Sequence, residues 1–147
     1  MKIDKSDIKR LEAERAITGL IKALKDESKD VRLLAARALG NIGEPAVEPL
    51  IPVLQDESRD VREAAFEAFG IIGEPAVIPL IQVLKNKDAD VRWPAVLALT
   101  RIGEPAERPL QQALRHEDTY HGAASALNQI KNQKFLKEVE KQTPYLE

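Results

Sequence analysis

A period of 30 residues governs this chain. Asp30-Val31-Arg32 returns as Asp60-Val61-Arg62 and Asp90-Val91-Arg92, and Gly43-Glu44-Pro45-Ala46 returns at Gly73 and again at Gly103. Leu20-Ile21 keeps step at Leu50-Ile51 and Leu80-Ile81. Residues 14–43 laid on 44–73 share 16 identities in 30, and 44–73 laid on 74–103 share 16 again. A fourth copy starts at Glu104, holds register through Leu114 and loses two residues. It then sets Ala123, Ala124, Ala126, Leu127 and Ile130 on the pattern of Ala35, Ala36, Ala38, Leu39 and Ile42. A unit this short cannot bury its own apolar face, so it must stack on copies of itself.

Each unit reads as two helices. Ala46, Val47, Leu50, Ile51 and Leu54 recur at spacings of three and four, with Pro45 and Pro49 near the start, where a missing amide donor costs least. The polar run Asp56-Glu57-Ser58-Arg59-Asp60 breaks the pattern, and Asp60 is the expected N-cap of the second helix. Val61, Ala65, Ala68, Phe69 and Ile72 then carry the buried face, alongside Phe66. Gly73 follows as a left-handed cap and Glu74-Pro75 begins the next unit. The same C-terminal placement is the expected reason for Gly40 and Gly70. The expectation is an all-α protein: one solenoid domain over 1–147, with repeats at 14–43, 44–73, 74–103 and 104–131. Residues 1–13 form an N-terminal cap carrying Ile8 and Leu11, helical from Ser6 or Asp7 into the first repeat. Residues 132–147 form a C-terminal cap and tail carrying Phe135, Leu136 and Val139, with Thr143-Pro144 ending any helix.

Composition closes several chemistries. The chain has no cysteine, which removes thiolate nucleophiles, disulfides and cysteine-based metal sites. Its 22 Lys and Arg against 24 Asp and Glu create no global basic field for nucleic acid or anionic lipid. No apolar run approaches the roughly 20 residues that cross a bilayer, and Met1 to Arg10 is charged, so a soluble cytoplasmic protein without a membrane partner is expected.

The pattern Asp-Val-Arg-x-x-Ala-x-x-Ala-x-Gly-x-Ile-Gly-Glu-Pro-Ala-Val-x-Pro-Leu-Ile resembles the short HEAT-like repeat named after phycobilisome bilin lyases, over about residues 14–130. The resemblance implies a right-handed α-α superhelix of HEAT or armadillo type, with the second helices lining its concave face. It also implies a protein-binding scaffold, or alternatively an accessory subunit of a bilin- or cofactor-modifying lyase. A related repeat family of iron hydroxylases carries paired His-Glu at the start of several second helices. Here those places hold Leu33-Leu34, Glu63-Ala64, Trp93-Pro94 and His121-Gly122.

The internal copies separate scaffold from candidate site. Val31, Ala35, Ala38, Leu39 and Ile42 share one arc of the second helix and stay apolar in every full copy. The Arg of Asp-Val-Arg repeats at every full rung, so it is expected to bind a turn carbonyl or an inter-repeat aspartate such as Asp26, Asp30 or Asp56. On the opposite arc the copies disagree: Leu33, Leu34, Arg37 and Asn41; Glu63, Ala64, Glu67 and Ile71; Trp93, Pro94, Leu97 and Arg101; His121, Gly122, Ser125 and Gln129. Drift on a solvated surface would leave polar residues, whereas Leu33, Leu34, Ile71, Trp93 and Leu97 are apolar. Together they predict a groove for a protein or peptide. The competing reading is that the C-terminal tail with Tyr145 and Leu146, or a second copy in a weak homodimer, covers it. Arg37 and Arg101 offset Glu63 and Glu67, unlike a groove that tracks phosphates. His116 and His121, with Glu117 and Asp118 between them, are too few and too turn-bound to argue a metal site. No constellation for nucleophilic or acid–base catalysis can be assembled, so neither enzyme activity nor a cofactor is expected.

Overall fold

The computed structural model describes residues 2–142. Among these the secondary structure is helical throughout: α1 (Lys5–Ala13), α2 (Ile17–Ala23), α3 (Lys29–Ile42), α4 (Val47–Leu50), α5 (Arg59–Ile72), α6 (Val77–Val83), α7 (Ala89–Ile102), α8 (Glu107–Ala113) and α9 (Glu117–Gln142). The arrangement is an α-α solenoid. The second helices α3, α5, α7 and α9 stack in order as one layer, and the first helices α2, α4, α6 and α8 form the other. Leucines at one place per repeat (Leu20, Leu50, Leu80 and Leu110) are fully buried between the layers, with Leu39, Phe69 and Leu99 facing them.

The second helices start two residues earlier than Asp60 suggests. Ser58 is the N-cap, its hydroxyl accepting from the Val61 amide at 3.4 Å while its own amide donates to the Asp56 carboxylate at 2.9 Å. Ser28 repeats this arrangement, and in the third copy Asp88 caps instead, accepting from the Asp90 amide at 2.9 Å. Asp60 lies in the first helical turn, where its charge opposes the positive helix end without capping it. At the other end Gly43, Gly73 and Gly103 have φ of 82°, 73° and 79° with ψ near −133°. The positive φ matches expectation, but the ψ is that of mirror-image extended backbone, which side chains exclude still more strongly. A 3-10 turn over Glu-Pro-Ala then leads into each first helix, and in the second repeat Pro52 limits α4 to one turn followed by further 3-10 helix.

The repeated arginine ties the turn to the second helix. Arg62 Nη1 donates to the carbonyls of Asp56 at 2.7 Å and Glu57 at 3.1 Å, and Arg32 and Arg92 do the same in their own repeats. The turn-carbonyl role is therefore the observed one. The inter-repeat aspartate that approaches Arg32 is Asp60, at 3.9 Å. Removing two charge-assisted bonds at a half-buried turn should cost about 1–2 kcal/mol, so Arg62→Ala should lower the urea midpoint with an unchanged slope.

The two ends differ. At the N-terminus Asp4, not Ser6 or Asp7, is the cap: Asp4 accepts from the Asp7 amide at 2.9 Å, and Asp7 reciprocates on the Asp4 amide at 3.0 Å. The helix does not run into the first repeat. Arg15 (φ 54°) breaks it, and α1 folds over α2 and α3 with Ile8 buried and Leu11 lying on Gly19. At the C-terminus the segment expected to cap the array continues α9 without a break between Ile130 and Gln142. The helix runs 26 residues where α3, α5 and α7 run 14. At about 100° per residue, Phe135, Leu136 and Val139 turn roughly 120–180° away from buried Ile130, and all three are exposed. Lys134 pins the base of this overhang through Glu107 at 2.6 and 2.8 Å. That hydrogen bond, aided by the charges of Glu107 and Glu104, holds the ammonium above the ordinary lysine range. The pair thus persists at neutral pH and is lost only as pH rises through that elevated value. Thr143, Pro144, Tyr145 and Leu146 lie outside the described residues.

Candidate functional site

The exposed side of the second-helix layer is where the copies disagree, and the structure assigns its residues different work. Leu34 and Leu97 are half-buried and pack against the core. Ala64 and Gly122 are buried, the latter facing Leu84. Asn41 donates to Glu12 on α1 at 2.9 Å, joining the N-terminal cap to the first repeat. Ile71 lies directly over Gly40, and Arg101 over Gly70, so each of these side chains bridges from its own helix to the preceding second helix. Gly40 and Gly70 are thus explained by close helix approach; neither has positive φ. Sequence reasoning missed this because a helical wheel sees one helix at a time.

Arg101 also sets the electrostatics. Its guanidinium reaches Glu67 at 2.7 Å and Glu63 at 3.4 Å across the α5–α7 interface. Of the two arginines expected to offset these glutamates, Arg101 alone contacts both, and exposed Arg37 stands outside that pairing. Arg37 and Ser125 are exposed, Gln129 is half-buried, and exposed His121 sets its ring edge-on to Tyr120, 5.3 Å between centroids. Among the described residues no three His, Asp or Glu side chains come together as a metal site would require.

Among the described residues, two clefts open beside α3, α5 and α7. One, of about 360 Å³, lies between α3 and α5 and is lined by Lys29, Arg32, Leu33, Asp60, Glu63, Ala64 and Glu67. The other, of about 420 Å³, runs between the second-repeat turn and the start of α7, lined by Leu54, Gln55, Asp56, Glu57, Arg62, Asp90, Trp93 and Pro94. Leu33 with Glu63 and Glu67 therefore belong to one cleft and Trp93 to the other. Trp93, the sole tryptophan, is 50% exposed. The walls of its cleft are acidic: Glu57 and Asp90 are exposed, Asp56 pairs with Lys25 at 3.6 Å, and Arg62 is held by turn carbonyls. Pro94 cannot donate to the carbonyl of Asp90, and both residues line this cleft.

A third cleft, on the first-helix layer, was not foreseen. It measures about 250 Å³ between α6 and α8, with Ile78 57% exposed at its rim. Its signal was present: Ile78 stands where the neighbouring copies have Glu48 and Arg108, a variation visible only when first helices are compared as well.

Residues 17–81 match the family model for HEAT repeats. No curated protein matches the chain. Solved structures similar to it include an engineered protein, 23% identical over 88% of this chain and 68% of that one, with a TM-score of 0.37. A designed armadillo repeat protein in complex with the peptide (KR)4 is 22% identical over 97% of this chain and 80% of that one, with a TM-score of 0.35. A second engineered protein is 23% identical over 88% of this chain and 41% of its own, with a TM-score of 0.34.

Proposed function

We propose that this chain is a non-catalytic scaffold that binds a protein or peptide along its second-helix layer, the concave face in the HEAT-like pattern, with Trp93 as the anchor. The observation that carries the reading is the half-exposed indole at the mouth of an acid-walled cleft. Tryptophan is costly to expose and enriched in binding hot spots. The copies show that the architecture accepts Leu, Glu or His in the same place. Glu57 and Asp90 beside an aromatic face suit a cationic side chain, which gains from the ring quadrupole and the carboxylates together. A phosphate-bearing partner suits the site poorly, since Glu57 and Asp90 would repel it.

Because Trp93 is the only tryptophan, its fluorescence reports this cleft alone. An arginine-rich peptide should change the emission saturably and a glutamate-rich peptide of equal length should not. Glu57→Lys with Asp90→Lys should weaken the response at least tenfold, about 1.4 kcal/mol. An equal response to both peptides, or none to either, defeats the reading. Capture from the native host, with Trp93→Ala as the control, then identifies the physiological partner. The lyase-accessory reading predicts instead a change in absorbance on adding bilin or haem.

A further inference from the structure

We infer that the C-terminal end of the solenoid is a self-association surface, in which α9 pairs antiparallel with α9 of a second copy of this chain. The argument begins with what the repeat does at every interior step. Ala36, Phe66 and Val96 occupy one place in successive second helices and are all buried, as are Leu39, Phe69 and Leu99 beside them. In the fourth copy the same places are Ala124 and Leu127, and both are only partly covered. Asn128, at the place of buried Gly40, is exposed. These residues border an open cleft of about 500 Å³ that also takes in Leu114 and half-exposed Tyr120. The stacking face is therefore present at the end of the array, whereas α1 closes the opposite end beneath a charged outer surface. Terminal repeats ordinarily carry a polar outer face.

The occupant follows from the pattern along α9. Tyr120, Ala124, Leu127, Asn128, Lys131 and Phe135 recur at spacings of three and four, one stripe of the helix. Phe135 is 67% exposed. Bulky Phe135 lies toward one end of this stripe and small Ala124 toward the other, equally far from its middle. The stripe is thus complementary to its own reverse. A two-fold axis near residues 129–130 places Phe135 of each copy over the small Ala124 of the other. It also opposes the helix dipoles. A head-to-tail arrangement lacks this match, because the exposed side of α1 (Lys5, Ser6, Lys9 and Arg10) is polar and offers Phe135 no apolar partner.

Sedimentation of the full chain between about 5 and 500 µM, the range of modest interfaces, tests this directly. The expected result is a shift from 16.4 kDa toward twice that mass. Phe135→Asp should raise the dissociation constant at least tenfold, and its exposure means the fold is left intact by circular dichroism. Trp93→Ala should leave association unchanged, which separates this inference from the scaffold reading. The chain has no cysteine, so single replacements report proximity cleanly. Asn128→Cys should give a disulfide-linked dimer on mild oxidation and Arg37→Cys should not. A monomer throughout the range, a dimer indifferent to Phe135→Asp, or cross-linking through position 37 instead of 128 would each overturn the inference.

Discussion

Gly40→Val should destabilise the solenoid by about 3 kcal/mol, although valine is the better helix former by a few tenths of a kcal/mol. A β-carbon built at Gly40 would stand 2.4 Å from Cγ2 and 2.5 Å from Cβ of Ile71. The Cγ2 could be rotated away, but the Cβ is fixed to the backbone of α5, so α3 and α5 would have to separate. Those two helices are the most closely packed pair of the second-helix layer, and the shift would loosen Ala36 and Leu39 with them. Gly70 makes the comparison informative. Its β-carbon would meet Cγ of Arg101 at 2.8 Å, the middle of a flexible side chain that can swing out. Gly70→Ala should therefore cost no more than about 1 kcal/mol, including loss of the exposed pairs to Glu67 and Glu63. Urea unfolding of both variants checks the ordering, and Gly40→Ala in an Ile71→Gly background should recover most of the loss of Gly40→Ala alone. Equal losses at Gly40 and Gly70 would mean that the glycines serve the helix ends, as the sequence expectation had it.

That contrast shows where sequence reasoning stopped. The period, the two helices per unit and the buried arc of Val31, Ala35, Ala38, Leu39 and Ile42 were legible because each depends on one helix and its repetition. The carbonyl-binding role of Arg32, Arg62 and Arg92 was legible for the same reason, since donor and acceptors lie within six residues of each other. What depends on how far one helix covers the next was not. Leu33, Leu34, Ile71, Trp93 and Leu97 share an arc, yet neighbouring helices take Leu34 and Leu97 into the core's edge, lay Ile71 over a glycine and leave Trp93 open. Cap positions failed by two residues for a related reason: serine and aspartate both cap well, and the choice between Ser58 and Asp60 rests on the turn that Asp56 and Arg62 hold together. The exposure of Phe135, Leu136 and Val139 was not legible either, because amphipathic spacing alone does not say that a neighbour exists to receive them.

Pro94→Ala should stabilise the chain by about 2–3 kcal/mol. Pro94 is the sixth residue of α7, past the first turn, where its missing amide removes a helical bond to Asp90 and its ring crowds that carbonyl. The companion copies place Leu34, Ala64 and Gly122 there, so the repeat does not require proline. The first turn of α7 also differs from its counterparts. Val91 is less buried than Val31 and Val61, and the cap at Asp88 reaches Asp90 where Ser28 and Ser58 reach the third residue of their helices. Pro94 lies beside Trp93 and lines the same cleft. A stabilising substitution that tightens this turn and returns an amide donor to the Asp90 carbonyl should reduce the room available to a cationic side chain. Pro94→Ala is thus expected to raise the urea midpoint while weakening the Trp93 fluorescence response to an arginine-rich peptide. Such opposition between stability and binding is characteristic of strain held at a functional site. If the midpoint rises and the response is unchanged, the proline is incidental to the cleft. If the midpoint does not rise, the first turn of α7 is already relaxed around the ring, and the cost assigned to Pro94 is wrong.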